Sequence, residues 1–198
     1  MKMGIFVIKG VFIMKNFKKV IALGLATTAV VSAMSMTALA NYDDTAYESL
    51  PTLSEVDTSK ASRETPVKYV DEKTGTIVTI YDPNITVEFP SVAPNSNNTV
   101  LEGRIYVRKA SSERFGTLTE SFEATQSGKV NFTLTDFNYP KYNVSLNHAD
   151  LPDDPMVVLE NKDIDVPVSL RGVESGSSYC FRVSSYMGAG SAEFDATM

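Results

Sequence analysis

Alternation with a period of two, broken at short intervals by turn residues, most constrains what this chain can fold into. From Val100 to Arg108, Leu101, Gly103, Ile105 and Val107 alternate with Glu102, Arg104, Tyr106 and Arg108. That is the pattern of a strand with one buried face. The run from Lys129 to Thr135 alternates in the same way. Val67–Val70 and Thr76–Tyr81 flank Asp71-Glu72-Lys73-Thr74-Gly75. Two β-branched and aromatic runs around a Gly-containing turn read as a hairpin. Asp82-Pro83-Asn84, Pro94-Asn95-Ser96-Asn97-Asn98 and Gln126-Ser127-Gly128 mark further turns. Shorter strands are expected at Ile85–Phe89, Phe115–Phe122, Tyr142–Leu146, Met156–Leu159, Val166–Leu170, Tyr179–Ser185 and Ala192–Thr197. About eleven short strands between turns predict an all-β fold, an antiparallel β-sandwich of immunoglobulin/fibronectin-like or jelly-roll-like type. No long 3.6-residue period with caps runs through this region. Helix is expected only as single turns, in the acidic segment before Val67 or at Ser111-Ser112-Glu113.

The first forty residues follow a different logic. Lys15, Lys18 and Lys19 precede an apolar run from Val20 to Ala33, and Ala38-Leu39-Ala40 stands before polar Asn41-Tyr42-Asp43-Asp44. A cationic stub, an apolar stretch and an A-x-A site make a helical secretory signal peptide over residues 1–40. A transmembrane anchor is the competing reading, since Val20–Ala40 is about long enough to span a bilayer. Its Ala, Thr and Ser content, with the polar residues towards the cleavage end, favours cleavage. Met14-Lys15 makes a better signal-peptide start than Met1. Residues 41–66 carry Asp43, Asp44, Glu48, Glu55, Asp57 and Glu64 without sustained periodicity, and read as a flexible acidic leader. Residues 67–198 then form a single domain.

Charge narrows the partners. Five of the 18 basic residues (Lys2, Lys9, Lys15, Lys18 and Lys19) precede the cleavage site and no acid does, leaving 13 bases against 24 acids, a net charge of −11. Such a surface opposes nucleic acid and anionic lipid, whose capture depends on Lys and Arg. The lone cysteine, Cys180, rules out an internal disulfide framework. It is expected to be a small buried hydrophobe between Tyr179 and Phe181. With no lipid-modified Cys after the signal and no apolar tail at the end of the sequence, the expected destination is extracellular. Any surface association would be non-covalent.

The closing stretch carries a resemblance. Leu170, Gly172-Val173, Gly176, Tyr179, Phe181-Arg182-Val183 and Gly188-Ala189-Gly190 occur in one order. Residues Leu170 to Thr197 resemble the end of a fibronectin type III domain, and also the end of bacterial pre-peptidase C-terminal domains. The resemblance implies a secreted sandwich. Tyr179 would hydrogen-bond back to the turn before it, and Phe181 and Val183 would face the core. Arg182 would then lie on the opposite, tolerant face.

Candidate sites are few. His148 is the only histidine. It has Asp150 nearby but no nucleophile elbow or recognisable Cys motif to serve. One His and one Cys do not supply a zinc set. Asp150, Asp153 and Asp154 crowd one loop, with Asp163 and Asp165 following; carboxylates of this kind suit calcium, although no EF-hand spacing is present. Phe137, Tyr139, Tyr142 and Tyr186 are candidate ligand contacts, as aromatic platforms for a glycan or protein. Four glycosylation sequons, at Asn84, Asn97, Asn131 and Asn143, matter only in a host that modifies them, and the signal looks bacterial. The reading favoured is a secreted, non-enzymatic β-sandwich binding or structural module, with no cofactor and with an extracellular protein or glycan as partner. The alternative is a carbohydrate-active or protease-associated accessory protein with a calcium site.

Overall fold

The computed structural model describes residues 50–91, 98–110, 116–125 and 128–198. The expected signal peptide, the expected leader up to residue 49 and the turn expected at Ser111-Ser112-Glu113 lie outside these residues. The described chain is all-β. Its strands are β1 (Val67–Val70), β2 (Ile77–Ile80), β3 (Thr86–Glu88), β4 (Thr99–Lys109), β5 (Thr117–Leu118), β6 (Phe122–Glu123), β7 (Gly128–Thr135), β8 (Lys141–His148), β9 (Pro155–Asp163), β10 (Val168–Val173), β11 (Ser178–Ser185) and β12 (Gly190–Thr197). Among the described residues the helical pieces are two 3-10 turns, Leu53–Glu55 and Thr58–Lys60.

The strands form one curled sheet in the order β1-β2-β9-β8-β11-β4-β12-β7-β10-β3, with β5 and β6 both beside β11. The sheet is mixed rather than antiparallel throughout. β11 and β4 run parallel where they meet, and they meet at only two positions, Ser184↔Arg108 and Ser185↔Lys109. Beyond that seam, β5 and β6 pair antiparallel with β11 instead. Local chemistry sets the connections. In the β1–β2 turn, Gly75 sits at φ 66, a left-handed conformation that glycine adopts without Cβ strain. The Asp71 carboxylate accepts from the Thr74 amide at 2.9 Å.

The core lies inside the curl. The Phe132 ring of β7 is 4.5 Å from Phe181 of β11, 6.1 Å from Phe194 of β12 and 6.4 Å from Tyr142 of β8. Phe122 of β6 stacks on Phe181 at 5.5 Å. Leu134, Leu146, Leu159, Leu170, Val78 and Ile80 fill the space around these rings. A buried row of polar side chains ties three strands together. Ser169 donates to Asn131 at 2.6 Å, and Asn131 donates to Thr197 at 3.2 Å. Each buried group in the row has a partner, so it adds register without an unmet polar cost.

The folded unit reaches upstream of Val67. Thr52 bridges Val70 in parallel, and the Val70 amide donates to the Pro51 carbonyl at 2.9 Å. The leader residues 50–66 thus extend the β1 edge. Their two turns are locally closed: the Thr52 amide donates to Glu55 at 2.7 Å and the Ser59 amide to Asp57 at 3.2 Å. Ala61 is buried in the core. Caps of this kind satisfy backbone donors without apolar periodicity, which is why the stretch does not read as structured in sequence.

Candidate functional site

A groove of about 410 Å3 opens between residues 61–64, the β2–β3 turn and the facing ends of β8 and β9. One wall is the tight turn from Ser62 to Thr65. The Ser62 amide donates to the Thr65 carbonyl at 3.2 Å and the Thr65 amide returns to the Ser62 hydroxyl at 3.1 Å. This turn presents Arg63 and Glu64. The opposite wall is the β2–β3 turn, where the Tyr81 and Asp82 amides donate to the Met156 carbonyl at 2.9 and 3.1 Å. Asp82 also accepts from the Asn84 amide at 2.9 Å, an Asx turn that fixes Pro83 at the rim. His148 and Pro155 complete the groove.

The acidic loop of residues 149–154 supports this site. Asn147, buried beneath it, donates to the Pro152 carbonyl at 2.6 Å and accepts from Ser145 at 2.7 Å. Arg182 donates to the same carbonyl at 2.8 Å and to Asp153 at 2.5 Å. Asp154 pairs with Arg63 of the leader turn. Asp153 and Asp154 are therefore drawn to two different arginines, and Asp150 is exposed. Among the described residues no group of three or more His, Cys, Asp or Glu side chains converges to hold a metal ion.

Arg182 departs from the sequence expectation. It is only 8% exposed, on a strand buried along nearly its whole length. Both faces of β11 are covered, one by the core and the other by the loop of residues 149–154 and the segment from Gly116. A Cβ added at Gly116 would lie 2.8 Å from the Arg182 side chain. Alternation does not announce an exposed face when the strand is central. Tyr179 and Phe181 lie as the resemblance implied for those two side chains. The Glu174 amide donates to the Tyr179 hydroxyl at 2.9 Å, and Phe181 is fully buried.

The two reactive side chains face apart. His148 is in register with Tyr179 and its ring lies 5.0 Å from that tyrosine. Cys180 is the next residue along, so its thiol points to the other face of the sheet. Burial pushes that thiol above its ordinary pKa, which leaves less of the nucleophilic thiolate.

The four aromatic candidates do not form one platform. Phe137 is buried, with Tyr139 5.4 Å away at 57°. The Tyr139 ring lies flush on Gly188, where an added Cβ would stand 2.0 Å from it. Tyr142 is in the core, 1% exposed, with burial holding its hydroxyl above the usual tyrosine range. Tyr186 is part-exposed and donates to Glu160 at 3.0 Å, and Glu160 also pairs with Lys68.

Lys162 is the group that sequence reading missed. It sits opposite Tyr142 in the β8–β9 ladder and is fully buried. Its ammonium donates to the Val166 carbonyl and lies 5.8 Å from the Tyr142 ring and 5.7 Å from the Phe89 ring. Burial pushes its pKa down to about 8; Asp163 opposes that shift and Lys141 adds to it. The only sequence signal is a lysine inside an otherwise strand-length run.

Comparison with family models, curated proteins and solved structures gave no match. Among the described residues, no helix is long and apolar enough to cross a membrane.

Proposed function

We propose that this chain is an exported β-sandwich module that binds an extracellular protein or glycan at the groove between Arg63, Pro83 and His148, without catalysis. The groove carries the reading. Its walls are turns closed by backbone and side-chain hydrogen bonds among their own residues, and a salt bridge ties Arg63 of the leader turn to Asp154 of the acidic loop. A site held this way is pre-organised for binding. The separation of His148 and Cys180 onto opposite faces favours recognition over nucleophilic chemistry. The close approach of Phe132 and Phe181 across the curl supports the sandwich description. The excess of acid over base supports a partner that is neutral or cationic rather than a nucleic acid.

The test is an array of extracellular glycans and secreted proteins probed with the purified chain and with Glu64→Arg and Pro83→Asp. Both substituted side chains are exposed. Loss of the captured ligand in both variants, with the unfolding midpoint unchanged, is the expected result. Ligands retained equally by both variants would place recognition elsewhere. Hydrolytic turnover lost in His148→Ala would replace the reading with an enzymatic one.

A further inference from the structure

We infer that the groove takes a cationic side chain, arginine above lysine, from a segment of a secreted partner protein. This rests on the reading of the groove as the binding site and adds the chemistry of what enters it. The lining holds one arginine, Arg63, and two carboxylates, Glu64 and Asp82. Arg63 is already matched by Asp154, which lies outside the lining. Among the described residues neither Glu64 nor Asp82 has an ion-pair partner. Two unmatched negative charges, one from each turn, therefore border the same groove.

Both carboxylates stand on turns held by local bonds. Glu64 lies within the turn that the Ser62 and Thr65 amides close, and its side chain is exposed. Asp82 spends one oxygen, Oδ1, on the Asn84 amide at 2.9 Å. Its Oδ2 takes no hydrogen bond among the described residues. Acceptors placed in advance lose little freedom when a donor arrives. The chain as a whole has 24 acidic against 18 basic residues, so its field draws cations in rather than repelling them.

The rest of the lining selects among cations. Pro83, Pro155 and Met156 are apolar, and the groove's volume of about 410 Å3 suits a small ligand or one long side chain. Arginine and lysine lay a methylene stem along such a surface and keep the charged head on polar groups. A guanidinium is more weakly hydrated than an ammonium and carries five donors in a planar fork. That fork suits carboxylates supplied by two separate turns better than a point charge does. Tyr81, part-exposed in the same lining, is an aromatic face of the kind on which a guanidinium stacks. An amino sugar is also cationic, but its ring hydroxyls would lie against Pro83, Pro155 and Met156 without partners, at a desolvation cost. The chemistry therefore favours a protein segment over a glycan.

Isothermal titration of the purified chain with acetylated, amidated Ala-Ala-Arg-Ala-Ala tests this, beside the same peptide with lysine, citrulline or glutamate at the centre. Citrulline keeps the length and planar head of arginine without its charge. The arginine peptide is expected to bind about tenfold more tightly than the citrulline peptide, with lysine between them and glutamate unbound. Added salt weakens the arginine peptide. Glu64→Gln and Asp82→Asn each weaken it about threefold, and together about tenfold. Asn at position 82 keeps an oxygen for the Asn84 amide, so the turn is retained, and urea midpoints check that each variant is folded. Glu102→Gln removes an exposed carboxylate on β4, outside the groove, and is expected to leave binding unchanged. Equal binding of the arginine and citrulline peptides, indifference to Glu64→Gln and Asp82→Asn, or an equal loss in Glu102→Gln overturns the inference. A neutral glycan lost in Glu64→Arg and Pro83→Asp, with the arginine peptide unbound, also overturns it while leaving the groove as the binding site. If no ligand responds to any groove substitution, both readings fall.

Discussion

Replacing Lys162 with Met is expected to stabilise the protein at neutral pH, and to do so less as pH rises. The ammonium is fully buried, with one carbonyl partner and two aromatic neighbours. Its pKa falls from 10.5 in the unfolded chain to about 8 in the fold. A folded-state value below the unfolded one means that the protonated form is penalised on folding. That penalty is fully present below pH 8, shrinks as the amine loses its proton, and is gone above pH 10.5. The drop corresponds to about 3 kcal/mol at pH 7. Met keeps the length and apolar stem but leaves the Val166 carbonyl without its donor, at about 1 kcal/mol, and forfeits the cation–π attraction, at about 0.5–1 kcal/mol. The net expectation is a variant about 1–2 kcal/mol more stable at pH 7. The advantage vanishes or reverses by pH 10.5. Urea unfolding of both proteins at pH 7, 9 and about 10.5 reads this as a difference, so that other groups titrating there, such as Cys180, cancel. A variant less stable than wild type at pH 7, or a difference that does not move with pH, would refute the argument that an unneutralised buried charge is being tolerated.

Two further outcomes concern β11 and the acidic loop. Urea unfolding is expected to rank Phe181→Ala worst, at about 3–5 kcal/mol for an emptied core. Arg182→Ala follows at about 1–3 kcal/mol, because the buried side chain is lost from under the loop and the Pro152 carbonyl keeps only its Asn147 donor. Tyr179→Phe costs about 0.5–1.5 kcal/mol; a larger loss than for Arg182→Ala would mean that the loop contacts are dispensable. Calcium at millimolar concentration, or its removal by chelator, is expected to leave the thermal midpoint of the purified chain unmoved. A rise on adding calcium would show that Asp153 and Asp154 leave their arginines to bind it.

The strands were legible because their β-branched, aromatic or alternating runs stand between turn residues. The alternation over Val100–Arg108 and Lys129–Thr135 maps onto β4 and β7 nearly residue for residue. Three things were not legible, each for a physical reason. Strand β9 runs on through Glu160-Asn161-Lys162-Asp163 because tertiary contacts override composition. The Asn161 amide, at φ 60, finds the Asn143 carboxamide at 3.0 Å, and Lys162 buries its stem between rings. Arg182 breaks the alternation rule because β11 is covered on both faces. The groove has no local signature, since the turn at Ser62–Thr65 meets Pro83 and His148 only in three dimensions. Of the residues singled out in sequence, Asp154 and His148 do lie at or beside it. The aromatic set does not gather there.

The strand order also fixes when the protein can fold. The fifth and seventh places along the sheet belong to β11 and β12, the last two of the described strands in chain order. Until they emerge, β8 and β9 on one side and β7 and β10 on the other have no common neighbour, and β4 has no partner along most of its length. The sheet must therefore wait, its earlier strands unjoined, for the residues from Ser178 to Thr197. A premature stop anywhere before Ser178 would leave two fragments of sheet without the two strands that join them to β4.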